Sequence, residues 1–146
     1  MRAVFVDLDN TLAANETCEN IDFYKGLYYD KKPIKIVIDA INYLYKNDNI
    51  FIISIYSGGE RGKSEKINWI KKYLPDNMKK NSPFLIDYRD SKTKADFIKN
   101  YALSSNIDLK ECIIIDDKKR ILQECNKEGI KTFYPQQIIC EYEELI

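Results

Sequence analysis

Two aspartates separated by one residue, Asp7 and Asp9, follow a short apolar run in the segment Asp7-Leu8-Asp9-Asn10-Thr11-Leu12. Carboxylates so placed can divide the work of phosphoryl transfer, one attacking while the other moves protons. An aspartate nucleophile is already ionised at neutral pH and needs no activating base. It would split hydrolysis into the formation and breakdown of an aspartyl phosphate. Its difficulty is the repulsion between a carboxylate and a phosphate dianion. A divalent cation bridging the two removes that difficulty, and an oxygen-only ligand set suits magnesium. Ile113-Ile114-Ile115-Asp116-Asp117 supplies further carboxylates to hold such a cation. Ser54, after Phe51-Ile52-Ile53, can donate a hydrogen bond to a phosphoryl oxygen, and Lys92 or Lys94 at a helix start can neutralise developing charge.

The chain contains no histidine. That excludes Ser-His-Asp and Cys-His catalysis, histidine-ligated zinc and any imidazole base. A lone D-x-D is common on protein surfaces. Several apolar strands that each end in carboxylates are harder to explain without a bound cation, because unpaired charges on one rim repel each other.

The elements that must bring these groups together are legible from apolar periodicity. Short β-branched runs at Ala3–Val6, Ile50–Ile53, Phe84–Ile86, Ile113–Ile115 and Lys131–Phe133 read as strands buried on both faces. Helical periodicity lies between them: Ile34–Tyr45, a helix capped by Ser64 and ended by Pro75, one beginning near Thr93, and Lys118–Glu128 stopping at Gly129. Strand alternating with helix predicts an α/β chain, a doubly wound, Rossmann-like parallel sheet with helices on both faces. Ligands of such sheets bind at the carboxyl ends of the strands, where Asp7, Ser54, Asp116 and Asp117 would converge.

At 146 residues, 45% apolar and 32% charged, with 23 basic and 23 acidic residues, the chain is expected to form a single domain over 1–146. The scattered cysteines, Cys18, Cys112, Cys125 and Cys140, form no C-x-x-C pair and read as reduced thiols of a cytoplasmic protein. The N-terminal apolar stretch meets Asp7 too soon for a signal peptide or membrane span. Gly58-Gly59-Glu60-Arg61-Gly62 lacks the spacing of a phosphate-binding P-loop and reads as a flexible loop. The 13–33 segment, with Phe23, Tyr24, Tyr28 and Tyr29, reads as a small flap insertion over the rim, its aromatics serving either base stacking or a small core of their own.

The ordered set of motifs resembles the haloacid dehalogenase-like (HAD) superfamily. Val4 to Thr11 matches its D-x-D-x-T motif, Ile50 to Ser54 its strand ending in Ser or Thr, and Ile113 to Asp117 its strand ending in D-D. The resemblance implies Asp7 as nucleophile and Asp9 as general acid/base, with Ser54, Lys94, Asn10 and Thr11 binding substrate. It also implies a magnesium ion held by Asp7, Asp9 through its backbone carbonyl, Asp116 and Asp117. Neither gap after the first two motifs is long enough for a full cap domain, so the site should be open. The nearest likenesses in layout are 5'(3')-deoxyribonucleotidase-like and polynucleotide 3'-phosphatase-like members, which implies a phosphatase acting on a nucleotide or nucleic-acid-end phosphate, with no membrane partner. The alternatives are a phosphotransferase to an acceptor other than water and a catalytically silent binding or regulatory domain. A receiver domain uses similar groups, but its acidic pair follows the first strand and its phosphorylated aspartate the third, the wrong order here.

Overall fold

The computed structural model describes residues 2–14, 28 and 31–146. Five strands, β1 (Ala3–Val6), β2 (Asn49–Tyr56), β3 (Phe84–Asp87), β4 (Cys112–Ile115) and β5 (Lys131–Phe133), form one sheet in the order β3-β2-β1-β4-β5. All four pairings are parallel. β1 is central because all four of its residues are buried, so both of its faces and both of its edges need partners.

Alternation along the strands sorts the helices onto two faces. Val4, Val6, Ile50, Ile52, Ile113 and Ile115 pack with α1 (Lys35–Leu44), α2 (Gly59–Tyr73), the short α3 (Asp76–Lys79) and α6 (Pro135–Leu145), through residues such as Ile41, Trp69, Met78 and Ile138. Phe5, Phe51, Ile53 and Ile114 pack on the opposite side with α4 (Lys94–Ser104) and α5 (Lys119–Lys127), through Ile98, Leu122 and Cys125. On that second side Phe5, Phe51, Phe84 and Tyr101 form one aromatic cluster, with the Phe51 and Tyr101 ring centroids 4.7 Å apart. Cys112 and Cys125 are buried and unpaired, as befits small apolar residues, and burial pushes the Cys125 thiol up to about 12. No helix among the described residues is long and apolar enough to cross a membrane.

Register sets the rim. Val6 pairs with both Ile52 and Ile115, so Asp7 and Asp116 follow their strands side by side. β2 runs past the predicted Ile53 to Tyr56, which places Ser54 inside the strand rather than after it. Pairing with β3 explains the extension, since Ser54, Ile55 and Tyr56 register with Leu85, Ile86 and Asp87.

The start of α2 corrects two expectations. Ser64 is not its cap, and 58–62 is not a flexible loop. The helix begins at Gly59, with Gly58 as its N-terminal boundary residue in the left-handed conformation, φ 82°, and Gly59 at φ 61°. Two consecutive positive φ values need glycine, and Gly62 is required for a different reason. A Cβ there would collide with the Ser57 carbonyl oxygen and lie 2.9 Å from its carbon. Gly62→Ala should therefore lower stability by about 2 kcal/mol, the usual scale for forcing an atom into a filled space. Urea unfolding of the two proteins measures this, and an unchanged midpoint would show that the Ser57 loop yields freely.

Candidate active site

The turn after β1 is wound around the Leu8 carbonyl, which accepts from the Leu12 and Ala13 N–H groups at 2.9 Å each. Asn10 takes a left-handed φ of 60°, which asparagine tolerates, and its N–H donates to the Ala13 carbonyl. Leu8 and Leu12 are fully buried and anchor the turn, while Asn10 is exposed. Thr11 is buried and donates its hydroxyl to Asp7 Oδ2 at 3.2 Å.

Asp7, Asp116 and Asp117 form one acidic group, each offering an oxygen within 4.8 Å of the others. Lys94 enters it from α4. A reciprocal cap holds the start of that helix: the Asp96 N–H donates to Thr93 Oγ1, and the Thr93 N–H to Asp96 Oδ2. From this fixed first turn, Lys94 Nζ donates to Asp7 Oδ1 at 2.6 Å and to Asp116 Oδ2 at 2.8 Å. Lys94, Asp7 and Asp116 are 4%, 6% and 0% exposed, so solvent does little to screen these contacts. Lys92, the other candidate, is exposed and lies over the Phe97 ring.

One ammonium does not balance three carboxylates. Burial pushes Asp7 up to about 7, with Lys94 opposing and Asp116 adding to the rise, while at Lys94 burial is outweighed by Asp7 and Asp116, which hold the amine above its ordinary range. Asp117 Oδ1 is buried with no hydrogen-bond partner among the described residues. An orphaned carboxylate oxygen beside two other carboxylates, all hard oxygen donors, fits a bound magnesium ion.

Asp9 faces elsewhere, and its carboxylate is not part of the acidic group. Lys66, on α2, donates to Asp9 Oδ2, Ser54 Oγ and the Ile55 carbonyl, all at 2.7 Å. Tyr28 and Lys31 donate to Asp9 Oδ1 at 2.7 and 3.1 Å. Burial works against ionised Asp9, but Lys66 and then Lys31 and Tyr28 overcome it and lower the carboxyl to about 2. Burial holds Lys66 below its usual range despite Asp9.

The structure thus brings Asp7, Thr11, Lys94, Asp116 and Asp117 into one group and Asp9 and Ser54 into a second beside it. Sequence reasoning missed Lys66. The signal was its spacing: Lys66 shares the buried face of α2 with Trp69 and Ile70, an unusual place for a lysine without a charged partner. Starting that helix at Ser64 left too little periodicity to show it. Tyr28 is not merely a flap aromatic. It is buried, meets Trp69 edge to face at 6.4 Å, and touches the site. Phe23, Tyr24 and Tyr29, with most of the 13–33 segment and Cys18, lie outside the described residues. Arg61 is exposed and pairs with Glu65.

No family model and no curated protein sequence matches the chain. Solved structures do match its fold. A haloacid dehalogenase-like hydrolase from Streptococcus pneumoniae superposes with a TM-score of 0.58 at 16% identity, over 97% of this chain and 90% of that one. The N-terminal part of BF1531 from Bacteroides fragilis, which contains a phosphatase domain and was solved with magnesium, gives 0.57 at 14% identity, over 90% of this chain and 35% of that one. A chain of the Pnkp1/Rnl/Hen1 RNA repair complex gives 0.54 at 18% identity, over 91% of this chain and 42% of that one. The present chain therefore spans less than half of the last two. Its fold is that of the haloacid dehalogenase-like phosphatases.

Asp7 sets a pH test of the metal site. With its pKa raised from 3.8 to about 7, protonated Asp7 favours the metal-free fold. That contribution is complete below 3.8 and is lost as pH rises through about 7. Asp9 acts in a separate window, its stabilisation being present above 3.8 and lost as pH falls toward 2. A magnesium ion held by these carboxylates would compete with the Asp7 proton, so magnesium should raise the melting temperature more at pH 8 than at pH 5, and Asp117→Asn should shrink the shift. Melts in chelator and in millimolar magnesium measure both. An equal shift at the two pH values would separate cation binding from Asp7.

Proposed function

We propose that the chain is a magnesium-dependent phosphomonoester hydrolase of the haloacid dehalogenase-like superfamily, working through an aspartyl phosphate on Asp7. The reading rests on one observation above the rest. A carboxylate at the carboxyl end of the central strand is buried against a lysine, a threonine hydroxyl and two further carboxylates, one of them with an unpartnered oxygen.

Asp7 is the nucleophile. Thr11 binds Asp7 Oδ2 and Lys94 binds Oδ1, which fixes the plane of the attacking carboxylate. Asp7, Asp116, Asp117 and the Asp9 carbonyl would hold magnesium, which when bound supplies the positive charge that lets a carboxylate approach a phosphate. Lys94 spans the nucleophile and Asp116, and its charge is available to a phosphoryl oxygen as negative charge gathers there. Asp9, ionised in the resting site, would take up a proton from solvent as substrate binds, give it to the leaving alcohol, and recover one from the water that hydrolyses the aspartyl phosphate. Ser54 accepts from Lys66, which leaves its own hydroxyl hydrogen for a phosphoryl oxygen.

The substrate is a nucleotide or a nucleic-acid-end phosphate. The short gaps after the first two motifs, which leave no room for a full cap, support an open site that admits a large alcohol. The shared fold with a chain of an RNA repair complex is in keeping with that choice.

Phosphate release from nucleoside monophosphates, 3'-phosphorylated oligonucleotides and an aryl phosphate tests the reading. Release should require magnesium and fall by roughly 10^4-fold in Asp7→Asn, the scale of losing a nucleophile. Magnesium-dependent release that persists in Asp7→Asn would rule out the aspartyl phosphate, and transfer to an added alcohol in place of water would make the protein a transferase. A second measurement concerns Lys66. Lys66→Met and Ser54→Ala should each cost about tenfold in kcat/KM, and together less than the product of the two losses, because the lysine acts partly through the serine and partly through Asp9. Fully additive losses would show that Lys66 acts independently of Ser54.

A further inference from the structure

A cavity of about 420 Å³ adjoins the site, and among the carboxylates of the two groups only Asp9 lines it. Asp7, Asp116 and Asp117 do not. If Asp9 is the acid/base group of the proposed reaction, its side of the site is where the leaving alcohol lies, and this cavity is the space for the rest of the substrate. The inference rests on that reading for its direction, and on charge for its content.

Lys31, Lys66 and Lys118 line the cavity, against Asp9 and Glu65. Glu65 is already held by Arg61 at 3.1 Å, and Asp9 is shared between Lys66 and Lys31. The Lys118 ammonium forms no ion pair among the described residues, where those of the other two lysines both meet Asp9. It stands directly after Asp116 and Asp117, fixed at its backbone by an N–H to Asp116 Oδ1 at 2.9 Å. The remaining lining is mostly polar, with Tyr28, Tyr56 and Ser57. A neutral, apolar alcohol would leave this surplus of positive charge unanswered.

We propose that this cavity receives a second anionic group carried by the alcohol part of the substrate, with Lys118 as its principal partner. The substrate class is then a phosphomonoester bearing another phosphate, and the second phosphate belongs either to the same small molecule or to the next linkage of a nucleic-acid strand. Both present the same chemistry to an ammonium group.

Ligand pairs that differ only in the second anion provide the test. Adenosine 3',5'-bisphosphate is compared with adenosine 3'-monophosphate and 5'-monophosphate, the scissile phosphate being identified from the product. A 3'-phosphorylated dinucleotide supplies an internal phosphodiester in place of the second monoester. The bisphosphate or the dinucleotide should exceed the matching monophosphate by about tenfold in kcat/KM, the worth of one charge-assisted hydrogen bond. Lys118→Glu should erase that ratio. Whichever of the two shows the preference names the source of the second anion. Equal kcat/KM for the bisphosphate, the dinucleotide and the matching monophosphate, or a preference that survives Lys118→Glu, overturns the proposal while leaving the hydrolase reading intact. Calorimetric binding of the same ligands to Asp7→Asn in magnesium decides the matter without turnover. A tenfold tighter Kd for the doubly anionic ligand, lost in the Lys118→Glu background, supports the cavity assignment even if the native protein releases no phosphate. Indistinguishable Kd values overturn it.

Discussion

Much of this molecule depends on one buried ammonium. Lys94 Nζ joins carboxylates from the ends of two adjacent central strands, 2.6 Å from Asp7 and 2.8 Å from Asp116, with all three side chains almost wholly shielded. Two buried carboxylates at neighbouring strand ends would repel each other strongly in a medium of low polarity. Lys94 makes their proximity tolerable, and its own placement requires the Thr93/Asp96 cap that fixes the first turn of α4. The register of β1 with β4 and the packing of Ile98 against Phe5 and Ile114 act together to bring the lysine to its partners. A buried ion network of this kind is a weak source of net stability, because desolvation offsets most of the attraction. Its value lies in geometry.

The sheet divides the site's charges between its two faces. Lys94 comes from α4, on the side of Phe5 and Ile114, whereas Lys66 comes from α2, on the side of Val6 and Ile52. Each lysine reaches the rim at a different carboxylate, so Asp7 and Asp9 meet opposite environments although one residue separates them. Burial and neighbouring carboxylates raise Asp7 to about 7, and Lys66 with Lys31 and Tyr28 lowers Asp9 to about 2. Two chemically identical side chains are thereby set to different protonation behaviour by what the two faces deliver to them.

The same two-sidedness explains what could be read from the sequence. β1 and β4 carry uniform apolar runs that end sharply, and Asp7, Asp116 and Asp117 follow from those ends. Thr93 and Gly129 are local punctuation, so α4 and α5 were placed to within a residue or two, and Lys94 with them. Lys66 was hidden for a reason of long range. It sits on a buried helix face only because Asp9, 57 positions away, and Ser54 neutralise and satisfy it, and no local pattern announces such a partner. The start of α2 was obscured similarly, since glycines at 58, 59 and 62 signal flexibility in isolation. Here they serve a left-handed entry and a close approach to Ser57. The helix α6 was passed over, although Pro135 opens it and Ile138 and Ile139 lie toward the core.

An arrangement can be complete sterically and incomplete electrostatically, and this site is both. Its core is closed, its turn is pinned by buried leucines, and nearly every buried polar side chain described has a partner. The exception is an oxygen of Asp117, in a group where three carboxylates meet one ammonium. On the other side of Asp9 the imbalance has the reverse sign, with lysines outnumbering carboxylates among the described residues that line the adjoining cavity. Imbalances of opposite sign, held apart by a rigid turn, oppose folding slightly and are hard to attribute to stability alone. They match the two ends of a magnesium-bound phosphate ester that carries a further anion. On the proposed function, a metal would answer the acidic group and the second anion the basic one. The protein's own charges would then meet as a complete set only with substrate and cation both present, which would place selectivity in the filled site rather than in the empty fold.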